Sequence, residues 1–379
     1  MTDNRAQATI ELSRSPEKTS QDDMAGRPPL GRRIFGLRNI VSILLTLGVL
    51  YLVYRELLGL NWREVWASVR GAHAGLLALA FAVFYCSFPV RALRWGALLG
   101  NVGYSRGYGR QDGRFMPSTL GLTRIMYIAW FANCVTVARL GDAYRGYLLK
   151  REAGVSFAVT LGTILAERLL DLLVLAAMMG AGVLVVFHGS LPTGAVQGLA
   201  AGLILSVIGI VGLLAMRRFR WAFERVLPER LHAFYARLEH GIVASFRRRL
   251  PLLVALSVAG WVLEGAALYA VVAAVGAPVS VAGALVVALA ASLLTAVPIT
   301  PAGLGFTEVG MVVMLGWLGV DVTTATVATL LFRLINYWSI VVLGFVLYVF
   351  SRKRKRPIGE SVGRPGEPKK IHKLFTGRS

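Results

Sequence analysis

Cysteine is almost missing from this 379-residue chain: there are two, Cys86 and Cys134, each inside an apolar stretch and without a partner at motif spacing. That argues against a disulfide framework or a thiolate metal site and leaves both as small buried hydrophobes. Histidine is scarce as well. His232 and His240 share one polar loop, and neither HExxH nor a Cys/His cluster occurs. There is no P-loop and no serine elbow, so no catalytic residue, cofactor or metal is expected. Acidic residues are few, 20 against 41 basic ones, for a formal charge of +21. In a soluble protein that excess would suggest nucleic acid. Here the basic residues gather in tails and in loops beside apolar segments, where they set topology and meet anionic headgroups, so no nucleic-acid partner is expected. The first 33 residues hold no apolar core. They read as a disordered cytoplasmic tail without a cleavable signal peptide, and residues 351–379 as a basic, disordered one. No repeat of about 20 to 50 residues is visible.

What the chain has in abundance is apolar sequence, 56% of all residues, gathered in stretches of about the 20 residues a helix needs to cross ~30 Å of hydrocarbon. Barrel strands would be short and alternating, so the fold class is an all-α polytopic membrane protein. Spans are predicted at about 34–54, 74–99, 156–187, 195–216, 251–275 and 323–350. The apolar segment from Leu120 to Val137 is shorter, carries Arg124, and has basic loops on both sides, with Arg106, Arg110 and Arg114 before it and Arg139, Arg145, Lys150 and Arg151 after. Were it a full span, the Arg/Lys-free turn HGSLPTG at 188–194 would be cytoplasmic and the Arg-rich stretch 217–249 outside. Both contradict the positive-inside rule, so it is read as a re-entrant hairpin. Between Gly276 and Thr324 there is no Lys or Arg. That region enters from outside and returns there, either as a second re-entrant hairpin or as two short full spans. The prediction is therefore about six full transmembrane helices plus two broken hairpins, both termini cytoplasmic, in the inner or plasma membrane.

The loop 217–250 carries Phe219, Phe223, Leu227, Leu231, Phe234, Leu238, Ile242 and Phe246 at three- and four-residue steps with arginines between them. This is the pattern of an amphipathic interfacial helix kinked at Pro228. It serves either as a connector packed on the bundle or as a contact for lipid headgroups.

Charges also occur where lipid should exclude them. In ILAERLLDLLVL, Glu167, Arg168 and Asp171 fall within an arc of about 100° at helical spacing. An ionised group at mid-bilayer costs about 2.5–3.5 kcal/mol on insertion scales, so this cluster must face protein or a wet cavity. Its net charge of one negative calls for another cation. Arg333, in LLFRLINYW, is the leading candidate, with Arg139 and Arg145 able to reach it from the first hairpin. Arg333, Asn336 and Tyr337 share a helix face, and Glu264 adds a carboxylate within WVLEGAALY. The alternative is a purely structural ion-pair network.

The segment PITPAGLGFTE, residues 298–308, interrupts the second hairpin with Pro298, Pro301, Gly303 and Gly305. Non-helical backbone survives at membrane depth only when buried in protein or lining a cavity, and transporters use such breaks to aim helix ends at charged groups. Glu308, in the first turn that follows, either caps the new helix or meets a cationic headgroup or a proton.

RALRWGALL at 91–99, ARLGDAYRGYLLKREAGVS at 138–156, AERLLD at 166–171, PITPAGLGFTE at 298–308 and LLFRLINYW at 330–338 occur in the order and spacing of the flippase-like transmembrane region of lysylphosphatidylglycerol synthases. On these motifs, residues 34–350 resemble that region. Family members often carry Gly-Glu where this chain has Gly141-Asp142, and Pro-Gly-Gly-Leu-Gly where it has Pro301-Ala302-Gly303-Leu304-Gly305. Both changes keep charge or small size, so the architecture is expected to survive them. The resemblance implies lipid translocation between leaflets, without the synthase domain that aminoacylates lipid.

The expected function is therefore a lipid flippase or lipid-binding translocator, without enzymatic activity, with a polar cavity between the two hairpins. Arg139, Arg145 and Arg333 would meet phosphate, with Asp142 and Arg168 beside them and Tyr337 on the face of Arg333. Glu167, Asp171, Glu264 and Glu308 would balance them or meet a cationic headgroup. The expected partners are membrane lipids, an anionic or aminoacylated phospholipid or a glycolipid, and a second copy of the chain in a homo-oligomer. The alternatives are a membrane enzyme or an accessory subunit acting on a lipid-linked substrate.

Overall fold

The computed structural model describes residues 62–104, 116–136, 140–187, 228–296 and 301–353, with isolated positions between 204 and 225. The predicted spans at 34–54 and 195–216 and both tails lie outside the described residues, apart from isolated positions in the second span. Among the described residues the fold is helical, without strands.

A short helix, α1 (Trp62–Gly71), precedes α2 (Ala74–Asn101). His73 sits between them: its ring Nδ1 accepts from the Leu76 N–H, and its backbone N–H donates to the Ala274 carbonyl at 2.9 Å. Pro89 lies inside α2, which continues through it, as helices packed among other helices can. Then come α3 (Thr119–Val135) and α4 (Leu140–Ala153). Their backbones touch, because a side chain at Gly141 would meet the Ala129 carbonyl and Asn133; instead the Gly141 N–H donates to Asn133 Oδ1 at 2.8 Å.

Helix α5 (Phe157–Phe187) carries the charged triad, and α6 (Glu229–Ser245) lies against it. A Cβ on Gly162 would sit 2.4 Å from the Leu238 carbonyl, and one on Gly241 2.4 Å from that of Val159. Contact this close makes α6 a packed member of the bundle, not a free connector. Pro228, where the kink is expected, has extended backbone and is the N-cap of α6, and most of 217–227 lies outside the described residues. The predicted apolar stripe is also divided. Ile242 is buried, together with Tyr235 outside the predicted stripe, whereas Leu231 and Phe234 remain exposed, because Gly241 decides which side of the helix meets α5.

Helix α7 (Leu250–Ala274) runs beside α2, and α8 (Val281–Ala296) beside α7. A 3-10 turn at Pro301–Gly303 leads to α9 (Phe306–Trp317), and α10 (Val322–Arg333) continues through a π turn at Leu334–Trp338 into α11 (Ser339–Lys353). Among the described residues, four stretches are long and apolar enough to cross a membrane: Ala74–Asn101, Phe157–Val186, Leu250–Ala274 and Val322–Phe350. They coincide with four of the predicted spans, and two shorter apolar helices, Val281–Thr295 and Phe306–Trp317, flank the predicted break. The central core joins Phe84 and Phe88 of α2, Leu268 and Val271 of α7, Met311 of α9 and Phe332 of α10. Large apolar side chains such as Leu165, Leu184, Val342 and Phe345 point outward, as expected of helices whose surroundings are lipid.

Candidate functional site

The spacing of Glu167 and Asp171 does place both carboxylates on one side of α5, and the group that receives them is Arg94 of α2. Its guanidinium, 1% exposed, donates to Glu167 at 2.8 Å and to both oxygens of Asp171, one of them at 2.9 Å, and reaches Ser257 Oγ on α7 at 2.6 Å. Arg145 of α4 takes the other Glu167 oxygen at 2.8 Å while lying 3.7 Å over the Trp95 ring. Arg168 turns the other way, to Asp142 of α4, with contacts of 3.3 and 3.1 Å. A single bundle of charge thus ties α2, α4 and α5 together.

Two further pairs stand apart from it. Arg91 donates to Glu264 at 2.7 Å, with Ser292 donating to the other carboxylate oxygen at 2.7 Å, and the Arg91 guanidinium lies 4.7 Å from the Trp261 ring and 5.3 Å from that of Trp130. Arg333 donates to Glu308 at 2.6 Å, and the second Glu308 oxygen accepts the Gly305 N–H at 2.7 Å. Glu308 therefore caps α9 and neutralises an arginine at once. Five arginines, 91, 94, 145, 168 and 333, meet five carboxylates, 142, 167, 171, 264 and 308. The set is electroneutral, which is the condition for keeping so many ionised groups out of water.

Between these groups lies a cavity of about 120 Å³. One water needs roughly 10–15 Å³ of such space, so it holds a small cluster of waters or one compact polar group. Its wall draws on α2 (Arg91), α3 (Trp130, Asn133, Thr136), α5 (Arg168), α7 (Trp261, Glu264), α8 (Ser292, Thr295), the 3-10 turn (Ala302), α9 (Thr307), α10 (Arg333) and the π turn (Asn336, Tyr337). Both helix interruptions border it: the C-terminal end of α3 and the turn at 301–303 meet there. Several residues of the wall also hold a buried polar atom without a protein partner, namely Arg91 Nε, Trp261 Nε1, Thr307 Oγ1 and Asn336 Oδ1. Buried polar atoms left unpaired each cost about 1–3 kcal/mol, and these four belong to residues around one small space.

The turn itself is left-handed at three positions: Ala302 (φ 48), Gly303 (φ 69) and Gly305 (φ 87). Glycine takes this conformation freely; alanine does so at a cost. Ala302 is therefore the strained position of the turn.

Of the predicted site residues, Arg168, Glu264 and Arg333 line the cavity with Tyr337, and Glu308 reaches it through Arg333. Asp142, Arg145, Glu167 and Asp171 lie in the adjoining ion-pair bundle. Gly303 and Gly305 shape the turn, and Pro301 begins it. Arg139 and Pro298 lie outside the described residues. One pairing differs from expectation: Arg145 reaches Glu167 as expected, but the main cation for the triad is Arg94, whereas Arg333 is engaged by Glu308. Arg91 and Arg94 had been legible, three apart within an apolar run. They stand in the C-terminal half of α2, and an arginine towards the end of a span is ordinarily read as snorkelling to the interface. Trp261, Thr307 and Ser292 carried no distinguishing pattern.

The profile of the lysylphosphatidylglycerol synthase transmembrane region matches residues 39–344. A UPF0104 membrane protein of Methanocaldococcus jannaschii is 32% identical over 235 residues, 61% of this chain and 99% of the relative. One from Methanothermobacter thermautotrophicus is 28% identical over 292 residues, 72% of this chain and 82% of the relative. The glycosyltransferase AglD of Haloferax volcanii is 28% identical over 183 residues, 48% of this chain but 26% of that protein.

Proposed function

From the premise that this multi-pass membrane protein belongs to the family of the lysylphosphatidylglycerol synthase transmembrane region, we propose that it binds the polar headgroup of a phospholipid or glycolipid and carries it between leaflets. The observation that carries this reading is the cavity beside Arg91, Arg168 and Arg333, with four unpaired polar atoms among the residues that line it. A headgroup phosphate or hydroxyl supplies what those donors and acceptors lack, while the acyl chains stay in lipid. The cavity lies between interrupted helices, the arrangement by which transporters expose backbone and helix ends to a polar substrate.

On this reading the bilayer is crossed six times, by the four long described stretches and by residues 34–54 and 195–216, with both termini cytoplasmic. The α3–α4 and α8–α9 hairpins go part way. Helices α3, α8 and α9 have 17, 16 and 12 residues. At about 1.5 Å per residue each falls short of ~30 Å of hydrocarbon.

The test uses a fluorescent phosphatidylglycerol in liposomes, with dithionite reporting on the outer leaflet. Thr307→Val and Asn336→Leu remove unpaired atoms without touching an ion pair. Translocation is expected to fall at least tenfold in both while thermal stability holds or rises, because the orphaned groups are a cost to the empty protein. Unchanged translocation, or a loss that follows a fall in stability, would remove the reading. The match to AglD favours a second one, in which the cavity serves a lipid-linked sugar. Transport or processing of a polyprenyl-linked sugar in place of phosphatidylglycerol would select it.

A further inference from the structure

Two recesses outside the charged interior adjoin each other as one trough, with two lining residues in common. The first, about 820 Å³, is apolar and open, walled by Phe131 and Val135 of α3, Leu140 and Tyr147 of α4 and Tyr348 of α11. The second, about 580 Å³, lies between the α4–α5 junction and α6, with Tyr104, Ser156 and Arg237 on its wall. Lys150 and Phe157 belong to both. At its other end the apolar recess shares Thr136 with the polar cavity.

The electrostatics of this trough differ from those of the interior. Every interior arginine described above has a carboxylate. Neither recess has an aspartate or glutamate among its described lining residues, yet Lys150 and Arg237 stand on it. The nearby carboxylate of Glu152 is engaged by Arg124 at 2.6 Å and lies 3.9 Å from Arg151. The trough thus pairs an open apolar recess with a basic cleft whose described lining holds no carboxylate, a match for the chain and the headgroup of an anionic amphiphile. Both volumes fall in the roughly 300–1,000 Å³ range of small-molecule sites.

We infer that this trough is a docking site for one anionic phospholipid, its phosphate between Lys150 and Arg237 and an acyl chain along α3, α4 and α11, from which the headgroup passes Thr136 into the cavity. The inference rests on the reading that the protein handles lipid, and it adds the loading site and the sign of charge it selects. A free phosphate would use the basic cleft alone; the apolar recess commits the site to lipid.

The full-length protein, exchanged into micelles holding equal phosphatidylglycerol and phosphatidylcholine of one chain length, reports the site by native mass spectrometry. Wild type is expected to retain phosphatidylglycerol preferentially. A basic side chain beside an anionic headgroup is worth about fivefold, so Lys150→Gln with Arg237→Gln should lower that preference about 30-fold. Ala143→Trp, which fills the apolar recess, should reduce retention of both lipids alike. Glycerophosphoglycerol, the headgroup without chains, should not compete. Preference unchanged in the double glutamine variant, with a thermal midpoint like that of wild type, overturns the inference, as does full competition by the chain-free headgroup. The reading of the cavity fails separately: Asn336→Leu should keep the lipid preference and lose translocation, and a wild type that retains phosphatidylglycerol but moves none would remove the transport reading alone.

Discussion

Arg94 is the group on which the interior charge network turns. Replacing it with methionine keeps much of the side-chain length and removes the partner of both Glu167 and Asp171. Glu167 retains Arg145 at 2.8 Å, but Asp171 is left with Arg168 at 3.9 Å, a longer contact from a guanidinium already committed to Asp142. Removing one member of a buried pair costs about 3–5 kcal/mol because a charge is stranded. Restoring neutrality with Asp171→Asn alongside Arg94→Met should recover most of that loss, since replacing both partners is far cheaper than removing one. At about 2–4 °C per kcal/mol for domains of moderate size, the single variant should lower the thermal midpoint in detergent by on the order of 10 °C. The double variant should return to within a few degrees of wild type. Fluorescence-detected size-exclusion after a temperature series measures both. If Arg94→Met melts within 2 °C of wild type, or if the double variant is as unstable as the single one, electroneutrality is not what holds the network together.

Two further outcomes follow from positions outside that network. Ala302 lies in the left-handed region at φ 48, so Ala302→Gly should stabilise by about 1 kcal/mol, the relief of Cβ strain less the added freedom of the unfolded glycine; a midpoint lower than wild type would contradict it. Asp321 caps α10 by accepting the Thr324 N–H at 2.9 Å, and the hydrogen bonds from Thr324 hold its carboxyl below the usual aspartate range. Its folded-state pKa is thus the lower one, so its contribution is complete above the unfolded value near 4 and is lost as pH falls through the folded one. Asp321→Ala should cost about 0.5–2 kcal/mol at pH 7, a gap expected to shrink below about pH 4, while Asp321→Asn retains most of the cap. A gap between wild type and Asp321→Ala that widens in acid would refute this assignment.

Much of this site could be read from local spacing. A four-residue separation puts Glu167 and Asp171 on one side of a helix in any fold, and two prolines among glycines stop a helix wherever they occur. The same is true of Glu308, whose place three residues after Gly305 suits it to cap α9, and of the shared face of Arg333, Asn336 and Tyr337. The π turn at Leu334–Trp338 left no such mark, and neither did the left-handed backbone of Ala302, which needed the turn to be seen.

The sequence by itself determined the class of protein, the order of the long apolar helices, the side of α5 that carries charge, and the point at which the second hairpin breaks. These depend on interactions within a few residues and on the length of an apolar run. Which charges meet was decided only in three dimensions. Arg94 and Glu167 are 73 residues apart, and Arg91 and Glu264 are 173 apart. Their pairing depends on how each helix is rotated about its axis, and that rotation is set where backbones touch, at Gly141 against Ala129 and at Gly162 against Gly241. Helical periodicity names a face; only packing names its neighbour.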